Sequence, residues 1–67
     1  MKRRKLERKL REIARAHHLD LTFREGGNHT IASIGNVRSS IPRHREINEI
    51  TAASIIRYFE RNLDGKH

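Results

Sequence analysis

Two helix-period stripes at the ends of the chain, with strand-period alternation between them, predict an α+β fold of order α-β-β-β-α. Two Gly-Asn pairs cut the central run into three strands, because glycine reaches the positive φ that tight hairpin turns need. Strands joined by turns this short form a three-stranded antiparallel sheet. Each helix is apolar on one side only, so both are expected on the same face of that sheet. One domain covers residues 1–67.

The elements follow in order. A basic N-terminal helix is expected over about 4–18, where Leu6, Leu10, Ile13 and His17 recur at helical spacing with Ala14 beside them. The remaining positions are mostly Lys, Arg and Glu, all good helix formers, and Glu7 and Arg11 are spaced to pair. The strands are expected over about 19–41. Leu19, Leu21 and Phe23 alternate with Asp20, Thr22 and Arg24, which is a half-buried strand with Phe23 inward. Gly26-Gly27-Asn28 then turns the chain. In the second strand Thr30, Ala32 and Ile34 are taken as the core set, which points His29 and Ser33 outward. Gly35-Asn36 makes the second hairpin, and Val37–Ile41 the third strand, ended by Pro42, which has no N–H for a ladder. Arg43 to Asn48 reads as a polar loop. Ala52, Ile55, Ile56, Phe59 and Leu63 mark a closing helix over about 50–63, with Thr51 as N-cap, Asn48 competing for that place, and Gly65 as the stop.

Composition bounds the function. Among 67 residues, 15 Lys or Arg face 8 Asp or Glu, a formal charge of +7. Seventeen large apolar side chains make one small core, too little for a TIM barrel, a dinucleotide-binding domain or a two-domain enzyme. A core of this size gives only about 3–5 kcal/mol of net stability unless a partner or an oligomer reinforces it. With no cysteine, disulfides and thiolate zinc sites are excluded. Residues 1–15 carry +6, residues 16–45 carry +2 and residues 46–67 carry −1. The basic first segment points to a polyanion, nucleic acid before an acidic protein. No apolar run of signal-peptide or membrane-spanning length occurs, so a soluble, cytoplasmic protein without membrane contact is expected.

Five histidines raise the question of a metal, but no His-x3-His or HExxH spacing occurs, and the adjacent His17 and His18 diverge on a helix. No metal and no cofactor are expected. His17 fits the apolar stripe as a packed histidine near a helix C-terminus, where the dipole favours its protonated form. His67 ends the chain and is expected to be disordered. His29 differs. It follows Gly26-Gly27-Asn28 at the start of a strand, where glycines let a ligand approach the backbone. An imidazole titrates near neutrality and passes protons either way. RNA cleavage needs this: a base takes the 2′-OH proton, the oxygen attacks phosphorus, and an acid protonates the leaving 5′-oxygen. The plainer alternative is a polar turn residue. Arg43, His44 and Arg45 form a second cluster whose guanidinium forks suit phosphate, with His44 as a second proton carrier or another phosphate contact. Arg38 is a further phosphate candidate and Arg24 a weaker one. With only three aromatic residues, an exposed stacking platform is not supported.

The motifs Gly26-Gly27-Asn28-His29 and Ile41-Pro42-Arg43-His44, in that order between a basic first helix and a closing helix, resemble those of the HicA family, the toxin half of HicAB toxin–antitoxin modules. The likeness covers roughly residues 6–63, nearly the whole chain. It implies a fold like a double-stranded-RNA-binding domain, a ribosome-independent mRNA interferase with His29 as the catalytic histidine, and a cognate HicB-like antitoxin that covers the site. RNA contacts then fall to Gly26, Gly27, Asn28, Arg38, Arg43, His44 and Arg45. Two features depart from the family pattern: Gly27 stands where Ser is usual, and residues 1–5 are unusually basic. A duplex-RNA-binding module usually carries lysines at the start of its second helix, whereas this chain has Asn48-Glu49-Ile50-Thr51. A non-catalytic RNA- or DNA-binding module and a basic protein-interaction module are the alternatives.

Overall fold

Helix α1 runs over Arg3–Ala16 and helix α2 over Glu49–Leu63; between them lie β1 (Leu21–Gly26), β2 (His29–Ile34) and β3 (Val37–Ile41). The computed structural model describes residues 1–64. The strands form one antiparallel sheet in the order β1-β2-β3. The expected α+β architecture of order α-β-β-β-α is therefore the fold of this chain. Gly65, expected as a helix stop, and His67, expected to be disordered, lie outside the described residues.

Helix α1 buries Leu6, Leu10 and Ala14 and turns most of its charged positions to solvent, with Arg3, Glu7 and Lys9 half-buried. It ends two residues short of the expected boundary. The Leu19 N–H donates to the Ala14 carbonyl at 2.8 Å and the His18 N–H to the Arg15 carbonyl at 3.1 Å, closing a Schellman motif. His18 occupies the left-handed position of that motif with φ +58°, where glycine is usual. A β-carbon is strained there by roughly 1–2 kcal/mol. His18→Gly is accordingly expected to stabilise the chain by about 1 kcal/mol, read as a higher urea midpoint.

Glu7 pairs backwards with Arg3, at 3.0 Å, in place of the expected partner Arg11. Leu19 falls outside β1, and a Cβ at Gly35 would stand 3.1 Å from its Cδ1 atom. Both hairpins have two-residue Gly-Asn connections with positive φ at the first position, +50° at Gly27 and +60° at Gly35, which suits the twist of the flanking strands.

On β2 the expected division holds: Thr30, Ala32 and Ile34 are buried and His29 is exposed. The buried set joins Leu6, Leu10, Ala14, Ile41, Ile47, Ala52, Ile55 and Phe59 in one core between the sheet and both helices. Two expectations are corrected here. Phe23 shares the inner face with Ala32 through the β1–β2 register, yet stays 37% exposed. The helices pack on each other and α2 packs on β3, which leaves β1 with little cover. The stretch from Arg43 to Asn48 is not uniformly polar, since Ile47 is buried. The Arg3 N–H donates to the Arg45 carbonyl at 2.9 Å and the Ile47 N–H to the Met1 carbonyl at 2.7 Å. Lys2 and Glu46 form an antiparallel bridge between those bonds. Helix α2 starts at Glu49 because Asn48, not Thr51, caps it: the Asn48 Oδ1 accepts from the Ile50 N–H at 2.8 Å and the Thr51 N–H at 3.4 Å.

The two helix C-termini are tied together by His17. Its Nδ1 donates to the Ile13 carbonyl at 3.0 Å, and Nε2 lies 3.2 Å from Asp64 Oδ1. Both acceptors are served at once only by the imidazolium. The Ile13 carbonyl first, and the Asp64 carboxylate second, raise the His17 pKa above its ordinary 6.5. A raised folded-state pKa gives stability that is complete below the unfolded value and is lost as pH rises through the folded one. The melting temperature is thus expected to fall as pH rises above the ordinary imidazole value of about 6.5, and His17→Gln should remove that component.

Candidate active site

The Gly27-Asn28 turn and the loop after β3 meet at one end of the sheet. Glu25, the last side chain of β1 before the glycines, sits opposite Thr30 in the ladder. The buried Thr30 hydroxyl donates to Glu25 at 3.0 Å. Arg43 Nη2 lies 2.8 Å from Glu25 Oε1 and donates to the His29 carbonyl at 3.3 Å. The β2–β3 register, which pairs Thr30 with Ile41, brings Pro42 alongside His29 just beyond the ladder. Arg43 thereby joins β1, the His29 backbone and the post-β3 loop.

His29 is exposed, and its carbonyl, not its imidazole, is the group held. Gly26 and Gly27 leave open space beside it: a Cβ at either position would meet no atom within 4 Å. Asn28 completes the exposed turn. Side chains on the outer face run in rows across the strands. Gly26 is level with His29, Arg24 with Ile31 and Ser40, and Thr22 with Ser33 and Arg38.

The expected site residues therefore divide. His29 and Arg43 are brought together through the backbone, and Gly26, Gly27 and Asn28 form the turn between Glu25 and His29. Arg43, expected to be a free phosphate donor, has a carboxylate partner in Glu25. His44 and Arg45 are exposed in the loop. Arg45 lines a groove of about 560 Å³ with Lys2, Arg3, Arg4, Glu7 and Arg43. Arg38 lies four residues along β2 from the His29 level, roughly 14 Å at strand rise. Arg38 and His29 share a face but not a single phosphate.

Glu25 is the residue that reading the sequence missed. Its signal was present: a carboxylate directly before a glycine turn, with a Thr two positions beyond that turn's Asn28. Its pairing depends on the register and on a loop 18 positions away.

Charges of both signs surround the loop. The first turn of α1 carries no acid to offset the positive end of the helix dipole. Lys2 is 3.8 Å from Glu46, and the Met1 amine beside Glu49 holds that carboxyl below the usual range. Among the described residues no three of His, Cys, Asp and Glu come together as a metal cluster, and no helix is long and apolar enough to cross a membrane. Compared with known proteins, the chain matches no family model, no curated protein and no solved structure.

Proposed function

We propose that this chain is a HicA-type toxin, a metal-independent endoribonuclease that cleaves mRNA with His29 as general acid or base. The supporting observation is the setting of His29: an exposed imidazole on a held backbone, with glycine space on one side and a cationic loop on the other. The 2′-OH loses its proton to a base and its oxygen bonds to phosphorus. The P–O5′ bond breaks, and an acid protonates the leaving oxygen. The products are a 2′,3′-cyclic phosphate and a 5′-hydroxyl. His29 supplies one of these proton transfers, and His44 is the candidate for the other. Arg45 and the basic face of α1 hold flanking phosphates, while Arg43 positions the turn.

The site acts in the cytoplasm and is covered by an acidic, HicB-like antitoxin when silent. The charge of +7 and the small core fit a chain that spends much of its life bound. Incubating the purified chain with RNA in EDTA tests the reading. Cyclic-phosphate ends in EDTA are expected. Absence of cleavage, or cleavage that EDTA stops and Mg²⁺ restores, overturns it.

A second reading, a non-catalytic RNA-binding module, draws on the bare imidazole: no described side chain hydrogen-bonds to it. It gives binding that weakens steeply with salt and leaves the RNA intact.

A further inference from the structure

The outer face of the sheet carries a shallow groove of about 390 Å³ whose outward-facing lining is Thr22, Arg24, Ile31, Ser33 and Arg38. Arg24 on β1 and Arg38 on β3 stand diagonally across β2, one row apart. Strand spacing and rise put their Cα atoms roughly 12 Å from each other. Ile31, half-buried, makes an apolar floor between them, and the Thr22 and Ser33 hydroxyls lie along it. The residues of this face are Thr22, Arg24, Gly26, His29, Ile31, Ser33, Arg38 and Ser40, and none is acidic.

Among the described residues two arginines have a carboxylate partner. Arg43 lies against Glu25 and Arg3 against Glu7. Among the described residues, no carboxylate comes within ion-pair distance of Arg24 or Arg38. Two unneutralised guanidinium groups around an apolar floor suit a polyanion whose charged backbone alternates with flat apolar rings.

We propose that this groove binds single-stranded RNA beside the scissile bond, with Arg24 and Arg38 on successive phosphates and a base on Ile31. The proposal rests on the ribonuclease reading for its substrate and supplies the path that reading lacks. Ile31 lies two residues from His29 along β2, a step of about 7 Å, close to one nucleotide of extended strand. Arg38 lies one further row away, so His29, Arg24 and Arg38 meet consecutive parts of one strand. The groove spans three strands, about 10 Å across, which accommodates one strand and is too narrow to seat a duplex. With an aliphatic floor in place of stacking rings, binding should be tolerant of base identity.

Fluorescence anisotropy with a short 2′-O-methyl RNA tests this, because such RNA lacks the attacking hydroxyl and stays whole. The double variant R24A/R38A is expected to bind the single strand at least 10-fold more weakly, with the salt slope reduced by about 1.4 for two lost phosphate contacts. Duplex RNA of the same sequence should change less than 2-fold. R24K/R38K should recover most of the affinity, and Ile31→Glu should block binding with both arginines in place. Circular dichroism identifies any variant that fails to fold. Unchanged single-strand affinity in R24A/R38A overturns the groove, and cleavage of the unmodified RNA by wild type in a parallel incubation would leave the nuclease reading standing. Arginine-dependent binding, with the unmodified RNA left uncut in the parallel incubation, upholds the groove and removes the catalysis. Equal, arginine-dependent binding of poly-glutamate overturns the RNA assignment in favour of an acidic protein.

Discussion

Replacing His29 with alanine is expected to lower RNA cleavage by the purified chain at least about 100-fold, the usual contribution of a general acid or base. The same substitution should leave the thermal melt almost unchanged. His29 is exposed, and no described side chain bonds to its ring. Its carbonyl, which alanine retains, is what Arg43 holds. Surface substitutions of this kind stay within about 0.5 kcal/mol. The two measurements together separate chemistry from folding: an unchanged rate in a folded His29→Ala chain sinks the assignment. His44→Ala locates the second proton transfer. A fall in kcat marks a proton carrier, whereas a rise in KM alone marks a phosphate contact.

Phe59→Ala is expected to unfold the chain at 25 °C. Phe59 is the largest fully buried side chain, and its ring meets Tyr58 edge-on at 5.7 Å between centroids. Truncating a buried Phe costs about 3–5 kcal/mol, as much as a core of this size supplies in total. Far-ultraviolet circular dichroism should lose most of its helical signal. Phe59→Leu should keep the fold with a lower melting temperature. Phe23→Ala is the contrast: at 37% exposed on the thinly covered strand, it should cost less than about 1 kcal/mol. Similar losses at the two positions would contradict the placement of the core beneath β2 and β3.

That contrast also shows where the sequence was legible. Alternation placed Phe23 on the correct face, because the side-chain period of a strand is fixed by the backbone. It carried no information on how far the helices reach across that face. Both Gly-Asn hairpins were readable because positive φ has a residue signature, whereas the end of α1 was not, since His18 takes the left-handed place without one. The choice of Asn48 over Thr51 became clear only with Ile47. Ile47 precedes the cap and is buried with Ala52, four positions into the helix, in the manner of a hydrophobic staple. At the site, the outward aim of His29 followed from local pattern. The Glu25–Arg43 contact did not, because it joins a turn to a loop on the far side of β3.

The sparse cover over β1 sets the order in which the molecule opens. Amides of an edge strand with few buried neighbours exchange with solvent through local opening, well before those of the core. Deuterium should therefore enter β1 ahead of β2 and α2. Glu25 and Gly26 belong to that labile strand, while His29 begins the central one. The proposed catalytic turn thus hangs between the least and the most protected parts of the sheet. Arg43 bridges the two, contacting Glu25 and the His29 carbonyl together.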